Sequence, residues 1–280
     1  MSVRIVTDST SDLPQHLAQE LGIAVVPLSV IFGEDSYKEG HEITPDLFYD
    51  KLARSKDLPT TSAPSVGDFI ETYRGVLKET DEVVSVHLSS KLSATYSNAC
   101  QAAQILADEG ARIDVIDSQT ISFGMMFLCS AAAKAAAQGA TVEDIRTIVE
   151  SMIPRIHVYV ALDTLEYVRR GGRIGRARAF LGTVLRVKPI LSFRDGEVHP
   201  EERVRTRALA MDRMFQIATS LPNVQKVGVA YSTNAEEAEQ MKRRIEQALE
   251  GVEVGLARLG PVIGVHGGPG TLGIGILQGE

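Results

Sequence analysis

Residues 82–118 read EVVSVHLSSKLSATYSNACQAAQILADEGARIDVIDS, and this stretch decides the fold. A valine-rich apolar run is followed by a loop of hydroxyl residues, a segment with helical spacing and a second apolar run. A strand, a helix and a strand of these lengths form a βαβ unit, in which the two strands lie parallel in one sheet. The stretch therefore predicts a parallel sheet that helices cover on both faces.

The same alternation of strands and helices fills the first half of the chain. It predicts strands at 3–7, 23–32, 82–88 and 112–118, and helices at 14–21, 45–54, 66–78, 95–108 and 125–138. Ser65 stands where the third of these helices needs an N-cap, a position that favours serine. We expect residues 1–158 to form a three-layer α/β/α domain with a mainly parallel sheet.

The pattern changes near residue 156. A strand at 155–162 is followed by two helical segments that Gly171 and Gly172 separate, and then by a hairpin with Asp195 and Gly196 as its two-residue turn. Helices at 204–219 and 235–248 flank a strand at 226–231. We expect residues 159–280 to form a second α/β domain, with a mixed sheet and helices on one side.

Composition narrows the class of protein. The chain has 280 residues, a formal net charge of −7 and 44% hydrophobic residues. The negative charge argues against general binding to nucleic acid or to an anionic membrane. No apolar run reaches the roughly 18 residues of a membrane span, and Met1 leads into a strand with no signal-peptide pattern. With Cys100 and Cys129 in apolar helices, we expect a cytoplasmic protein.

Hydroxyl and acidic residues follow the predicted strands, where ligands bind in parallel sheets. In the loop 8–12, Asp8 and Asp12 are compatible with a magnesium site, but the pattern favours a strand-end aspartate at Asp8 and a helix cap near Ser11 and Asp12. The loop 89–95 carries four hydroxyls at the start of a helix. Such a loop suits a carboxylate or phosphate ligand, and surplus surface serine explains it equally well.

The glycine-rich stretch VIGVHGGPGTLGIG covers residues 262–275. Residues 268–273 match G-x-G-x-x-G, but no helical pattern follows them, so we do not expect a nucleotide site. The glycines leave the ring of His266 accessible instead. The chain also lacks the G-x-S-x-G and H-E-x-x-H motifs, so we expect neither a catalytic nucleophile nor a metal site.

A basic stretch stands out on this acidic chain. Residues 160–190 contain seven arginines and lysines but only two acidic residues, Asp163 and Glu166. A solvated surface explains such a stretch, and so does a surface that recognises an anion or a partner protein.

Seven segments in this order and spacing together resemble the DegV family. They are VTDSTSDLP, TSAPS, SSKLSATYSNA, VIDSQTISFGM, LDTLEYVRRGGRIGRA, KPIL and GPVIGVHGGPGT. The chain is similar to the fatty-acid-binding subunits of bacterial fatty acid kinases, which are called FakB. The resemblance implies a two-domain protein that holds one long-chain fatty acid between its domains. A FakA-like kinase would phosphorylate that acid to an acyl phosphate.

The resemblance also implies roles for individual residues. The ligands of the fatty acid carboxylate would be Thr61, Ser93 and His266, with Ser62, Ala94 and Gly267 as secondary candidates. The residues facing the kinase would be Arg170 and Arg205, or Arg203 in place of the latter. Ala63 and Ala94 depart from the glutamine and glycine that are frequent in the family, which affects the shape of the pocket near the head group.

Further expectations follow for the ligand and its surroundings. A protonated His266 would lower the pKa of the bound carboxylate. Residues 123–128 and 178–185 are candidate walls for the acyl chain. ATP and Mg²⁺ would belong to the kinase, so this chain would need no cofactor, and membrane contact would be peripheral or transient at most.

Two other functions stay open at this point. One is a self-sufficient enzyme that acts on a small phosphorylated or carboxylated metabolite through the loops 8–12 and 89–95. The other is a regulatory module that binds nucleic acid or protein through residues 169–188.

Overall fold

The computed structural model describes residues 3–181 and 187–279. In chain order the strands are β1 (Arg4–Asp8), β2 (Ile23–Val26), β3 (Ser29–Phe32), β4 (Asp35–Lys38), β5 (Thr60–Ser62), β6 (Glu82–His87), β7 (Arg112–Asp117), β8 (Ile156–Ala161), β9 (Lys188–Arg194), β10 (Glu197–Val204), β11 (Val224–Tyr231), β12 (Glu253–Arg258) and β13 (Leu272–Gln278). The helices are α1 (Gln15–Glu20), α2 (Pro45–Arg54), α3 (Val66–Val76), α4 (Thr95–Ala107), α5 (Phe123–Ala137), α6 (Val142–Met152), α7 (Glu166–Arg170), α8 (Arg207–Ser220), α9 (Ala235–Ala248) and α10 (Pro261–Gly267).

The N-terminal sheet has the order β2-β1-β6-β7, and its strands are all parallel. Helices α3 and α4 cover one face, where Phe69 and Tyr73 pack against Val6. Helices α5 and α6 cover the other face, where Leu128 and Ile145 lie in one core. The three-layer α/β/α domain predicted from the alternation of strands and helices is confirmed.

Local sequence signals set several helix starts. The Ser65 side chain accepts a hydrogen bond from the backbone N–H of Asp68, whose carboxylate accepts from the Ser65 N–H, which completes a capping box. Thr141 and Asp144 form the same box at the start of α6. Helix α6 was not predicted, although this box is readable in the sequence.

The strand predicted at 23–32 is two strands in two different sheets. Pro27 falls between β2 and β3, and proline has no N–H to donate to a sheet ladder. After this break the chain leaves the parallel sheet, and β3 pairs antiparallel with β4 and β5 in a separate three-stranded sheet. This small sheet was not predicted, and it carries Thr61.

The C-terminal sheet is mixed, with the order β10-β9-β8-β13-β11-β12. Helices α8 and α9 pack on one face of it, as predicted. The hairpin turn at Asp195 and Gly196 is also confirmed, with φ angles of 50° and 75°. Since β8 begins at Ile156, this sheet starts three residues before the boundary predicted between residues 158 and 159.

The basic segment differs from its predicted form. Helix α7 ends at Arg170, and Gly171 and Gly172 follow it as a turn. In place of the second α-helix, the described part of the segment contains a short 3₁₀ helix, Gly175–Phe180. Residues 182–186 of that predicted helix lie outside the described residues.

Helix α5 lies between the two large sheets. Eleven of its fifteen residues are buried, and it contacts β1 and β6 on one side and β8, β11 and β13 on the other. Such a helix is apolar around its whole circumference, because both of its faces are covered.

Phe123, the first residue of α5, packs against a row of three glycines in the C-terminal sheet. Gly228 pairs directly with Gly275 on one neighbouring strand and with Gly255 on the other. A Cβ on Gly228 would lie 2.1 Å from the ring of Phe123. Because the three glycines have no side chains, Phe123 of the N-terminal domain can pack directly on the C-terminal sheet. Within the described residues, no helix combines the length and the apolar character needed to cross a bilayer.

Candidate ligand-binding site

A cavity of about 1050 Å³, its mouth included, lies between the two domains. The cavity is lined by aliphatic and aromatic side chains from both domains, including Leu28, Leu88, Leu92, Ile121, Phe123, Val158, Val160, Leu162, Val168, Leu191, Phe193, Val198, Leu259, Val262, Ile263 and Ile274. Its walls therefore suit an apolar ligand.

Three of the predicted carboxylate ligands line this cavity. Thr61 lies on β5, Ser93 just before α4 and His266 in the last turn of α10. The Thr61 Oγ1 and His266 Nε2 atoms are 3.1 Å apart, within hydrogen-bonding distance. The Ser93 hydroxyl is 2.8 Å from that of Thr95. The fold thus brings together donors that lie more than 200 positions apart in the chain.

The secondary candidates separate into two groups. Gly267 lines the cavity beside His266, and so does Ala63. Ser62 and Ala94 are exposed and do not line it. Ser62 follows Thr61 on a strand, so its side chain points to the opposite face.

His266 is neutral in this environment. Burial, followed by the positive charge of Arg173, lowers the pKa of the imidazole to about 4. Its Nδ1 atom is shielded from water and has no hydrogen-bond partner among the described residues. Gly171 explains this close fit, because a Cβ there would lie 2.2 Å from Nδ1. Burial and the charge of Arg173 thus both disfavour a protonated His266, one of the possibilities considered from the sequence.

The acyl-chain walls differ from those expected. Phe123 lines the cavity, whereas Met125, Met126, Phe127 and Leu128 are buried in the core. The described residues of the segment 178–185 do not line it either. Most of the wall comes instead from the C-terminal sheet and from the loops after β2 and β6, because α5 turns only its first residue toward the cavity.

Arg173 also lines the cavity, beside the predicted donors. Its Nε donates to the Leu92 carbonyl at 3.1 Å, and its Nη1 donates to the Gly171 carbonyl at 2.7 Å. From the sequence, Arg173 was predicted only to be one charge of the basic stretch. Its position three residues after Arg170, beyond the two glycines, was the available signal that it turns away from the helix surface.

Similar proteins show to which family the chain belongs. The model of the DegV family, described as uncharacterised proteins, matches residues 2–279. The chain belongs to the DegV family. A DegV domain-containing protein from Halalkalibacterium halodurans is 38% identical over 277 residues, which are 97% of each chain. The family predicted from the seven segments is confirmed.

Two solved structures share the whole DegV fold of this chain. DegV from Bacillus subtilis, a fatty acid binding protein, has a TM-score of 0.90 and 33% identity, with 100% of both chains covered. A stearic-acid-binding protein from Eubacterium ventriosum has a TM-score of 0.90 and 27% identity, with 99% of this chain and 98% of the other covered. The predicted two-domain α/β fold is therefore confirmed over both domains.

The predicted kinase-facing arginines of this DegV protein lie on its surface. Arg170 is exposed and forms an ion pair with Glu166, which also pairs with Arg169. Arg203 lies over the Phe180 ring, with 4.8 Å between its guanidinium carbon and the ring centroid. Arg205 is exposed just after β10.

The loop 8–12 of this DegV protein is structural. Asp8 accepts hydrogen bonds from the Thr10 and Leu88 N–H groups and thereby caps a short 3₁₀ helix. The cap favoured from the sequence near Ser11 and Asp12 was wrong for α1, because Pro14 is its N-cap and no side chain bonds to the N–H groups of its first turn. Asp8 is also 3.0 Å from His87 Nδ1, and His87 Nε2 is 2.7 Å from the Ser85 hydroxyl.

This Ser–His–Asp arrangement is not an active site. Asp8, Ser85 and His87 are all completely buried, so no substrate reaches the serine. Tyr73 donates a hydrogen bond to the Ser85 hydroxyl, which closes the network within the core.

The loop 89–95 has several separate structural tasks. The Ser89 hydroxyl donates to the Gly196 carbonyl at 2.7 Å, which ties the loop to the hairpin of the other domain. Ser93 and Thr95 bond to each other. Of the loop's hydroxyls, Ser93 is the one that lines the cavity.

Proposed function

We propose that this protein binds one long-chain fatty acid and presents its carboxylate to a separate kinase. The observation that carries the proposal is a deep apolar cavity with Thr61, Ser93 and His266 together in its lining. A carboxylate removed from water needs hydrogen-bond donors in place of solvent. Two hydroxyls and the N–H of a neutral imidazole are such donors.

The apolar wall accounts for affinity. Each buried CH₂ contributes about 0.8 kcal/mol, so a long acyl chain contributes roughly 10 kcal/mol before association costs. The fatty-acid-binding relative from Bacillus subtilis and the stearic-acid-binding relative from Eubacterium ventriosum cover almost the whole chain and support this ligand class.

Phosphoryl transfer is assigned to the partner. In the proposed system a FakA-like kinase holds ATP and Mg²⁺ and converts the bound acid to an acyl phosphate. This protein serves as a cytoplasmic carrier without a cofactor, and it contacts membranes only transiently to exchange lipid. Arg170, with Arg203 or Arg205, forms the docking surface for the kinase.

The alternative functions have weaker support. The loops 8–12 and 89–95 form internal hydrogen bonds that an enzyme would need free for its substrate. In the basic stretch, Arg169 and Arg170 pair with Glu166, and Arg176 pairs with Glu197. These pairs reduce the positive charge that nucleic acid binding requires.

Native mass spectrometry of the purified protein tests the proposal. We expect a protein–lipid mass that disappears after organic extraction and returns when a long-chain fatty acid is added. Addition of a FakA-like kinase and ATP should then yield acyl phosphate. Absence of both copurified lipid and affinity for added fatty acid would refute carrier function, and ATP turnover by this chain alone would favour an enzyme.

A further inference from the structure

An ionised head group in this cavity needs a positive charge or strong dipoles near it. Thr61, Ser93 and a neutral His266 donate hydrogen bonds to a ligand, but none of them carries a positive charge. An ionised head group shielded from water is stable only if a cation or a strong set of dipoles compensates its charge.

Arg173 links the elements that carry these donors. Its two hydrogen bonds end on the carbonyls of Leu92, which directly precedes Ser93, and of Gly171, which packs against the His266 ring. Leu92 belongs to the N-terminal domain and Gly171 to the C-terminal domain. The guanidinium therefore bridges the domains at the cavity lining that contains Ser93 and His266.

The guanidinium of Arg173 also has N–H donors that these two hydrogen bonds leave unused. It carries five N–H donors, and these two bonds engage its Nε and Nη1 groups. Within 3–181 and 187–279, no acidic side chain forms an ion pair with Arg173. Its neighbours Arg169, Arg170 and Arg176 each pair with a glutamate. Arg173 thus brings to the cavity a positive charge that only neutral carbonyls contact.

The effect of this charge on His266 indicates what it would do to a ligand. The field of Arg173 disfavours a second positive charge on the imidazole and so helps to lower its pKa. The same field favours the negative form of a nearby carboxyl group. Arg173 and a neutral His266 together form a site for an anion.

We propose that the guanidinium of Arg173 supplies the positive charge that holds an ionised lipid head group in this cavity and selects acids over uncharged lipids. This inference rests on the proposed fatty acid function and adds a specificity-determining residue to it. A lipid alcohol of the same chain length fills the same apolar wall but gains nothing from the charge.

Binding of oleic acid and of oleyl alcohol to the intact protein tests this selectivity. Arg173→Gln should weaken oleate binding by roughly 10- to 100-fold, the usual effect of losing a charged hydrogen-bond partner. Oleyl alcohol affinity should change by less than about threefold, within the scatter of a neutral contact. Arg173→Lys should recover part of the oleate affinity, and the matched control Arg176→Gln should change neither ligand.

The outcomes separate this inference from the function it rests on. Unchanged oleate affinity in Arg173→Gln, or an equal loss for both lipids, would overturn the inference while the carrier function stands. An equal loss would mean that Arg173 only braces the two domains. If the wild-type protein bound neither lipid, both the inference about Arg173 and the proposed carrier function would be refuted.

A second measurement needs no variant. Oleate labelled with carbon-13 at its carboxyl reports its ionisation by NMR when it is bound to the wild-type protein. We expect the signal of the ionised form from about pH 7.5 down to about pH 5. The signal of the neutral acid at the upper end of this range would overturn the proposal.

Discussion

In the proposed head-group site, the contribution of His266 is its shape and its N–H group. Its Nε2 lies 3.1 Å from the Thr61 Oγ1 atom, and its Nδ1 is packed against Gly171. A neutral ring can donate one hydrogen bond to a carboxylate without adding charge of its own. The glycines around it allow this fit because a side chain at Gly171 would occupy the space of the ring.

His266→Ala should weaken fatty acid binding while the protein stays folded. The loss of one hydrogen bond to an ionised group predicts roughly a 10- to 100-fold increase in the dissociation constant. Titration calorimetry with oleate measures it, and His16→Ala, at an exposed histidine of α1, is the matched control. Equal affinities for the two variants would contradict the assignment of the head-group site.

Arg170→Ala should separate lipid binding from phosphoryl transfer. Arg170 is on the surface, so we expect oleate affinity to be unchanged and acyl phosphate formation with a FakA-like kinase to fall by about tenfold or more. Arg169→Ala removes the other arginine that pairs with Glu166 and serves as the control. A large loss of lipid affinity in Arg170→Ala would show that the residue belongs to the ligand site.

At the scale of the elements, one added methyl group in the glycine row Gly228, Gly255 and Gly275 should lower the free energy of unfolding. Gly228→Ala places a methyl group on the Phe123 ring, so we expect a loss of about 3 kcal/mol in the free energy of unfolding. Gly75 lies in α3 with open space around it, and Gly75→Ala should instead stabilise the protein by about 0.5–1 kcal/mol. Urea denaturation measures both changes.

A double variant checks the cause of the Gly228 effect. If the methyl group strikes the phenylalanine ring, Phe123→Ala combined with Gly228→Ala should cost clearly less than the sum of the two single changes. Additive losses would mean that the strand itself rejects alanine at this position.

The N-terminus of α10 is held by two acids from the other domain. Asp12 accepts from the Gly260 N–H at 2.8 Å, and Glu39 accepts from the Val262 N–H at 2.9 Å. Burial raises the pKa of Asp12 to about 7 and that of Glu39 to about 8. Near neutral pH, the helix that carries His266 is therefore anchored by groups that titrate.

This anchoring predicts how stability depends on pH. In the unfolded chain both acids titrate near about pH 4, so above that pH the folded protein binds protons that the unfolded chain has lost. Stability therefore falls as pH rises through the folded pKa values. From about pH 6.5 to pH 8 we expect the two acids to cost about 2 kcal/mol, of which loss of the His266 proton from the unfolded chain offsets less than about 0.5 kcal/mol.

Urea denaturation across this pH range measures the effect. Glu39→Gln removes the acid with the higher pKa and should reduce the loss to about 1 kcal/mol. A stability that rises over the range in the wild-type protein would contradict the proposed protonation of the two acids.

Sequence patterns predicted elements better than their pairing. The βαβ units, the Asp195–Gly196 hairpin and the Ser65 cap depend on neighbours in sequence, and all three were predicted. The division of 23–32 into strands of two sheets depends on partners far away, since β3 pairs with β5. The proline at the break was the one local sign of it.

The site shows the same limit at the scale of the whole molecule. Thr61 and His266 share no local pattern, and only the resemblance to the DegV family suggested that they meet. A protonated His266 stayed possible on the sequence alone, because burial of its ring cannot be read from a sequence. Arg173 was overlooked although the two glycines before it indicated a turn, because its contact with Leu92 joins residues that are distant in the sequence.

The molecule should unfold as one unit. Helix α5 belongs to the core of the N-terminal domain and also packs on the C-terminal sheet, so neither domain buries its apolar surface alone. We expect a single calorimetric transition for the full chain, and aggregation of the fragment 1–155. Two resolved transitions, or a soluble folded fragment, would show that the domains are independent.

The position of α5 in the chain has a consequence for synthesis. The ribosome completes this helix long before it makes β13, the last of the three strands that cover its other face. At about 5–20 residues per second, the apolar face of the helix stays uncovered for on the order of ten seconds. During that interval the nascent chain presents a surface that chaperones recognise, so the yield of this protein in a cell should depend on chaperone capacity more than its final stability suggests.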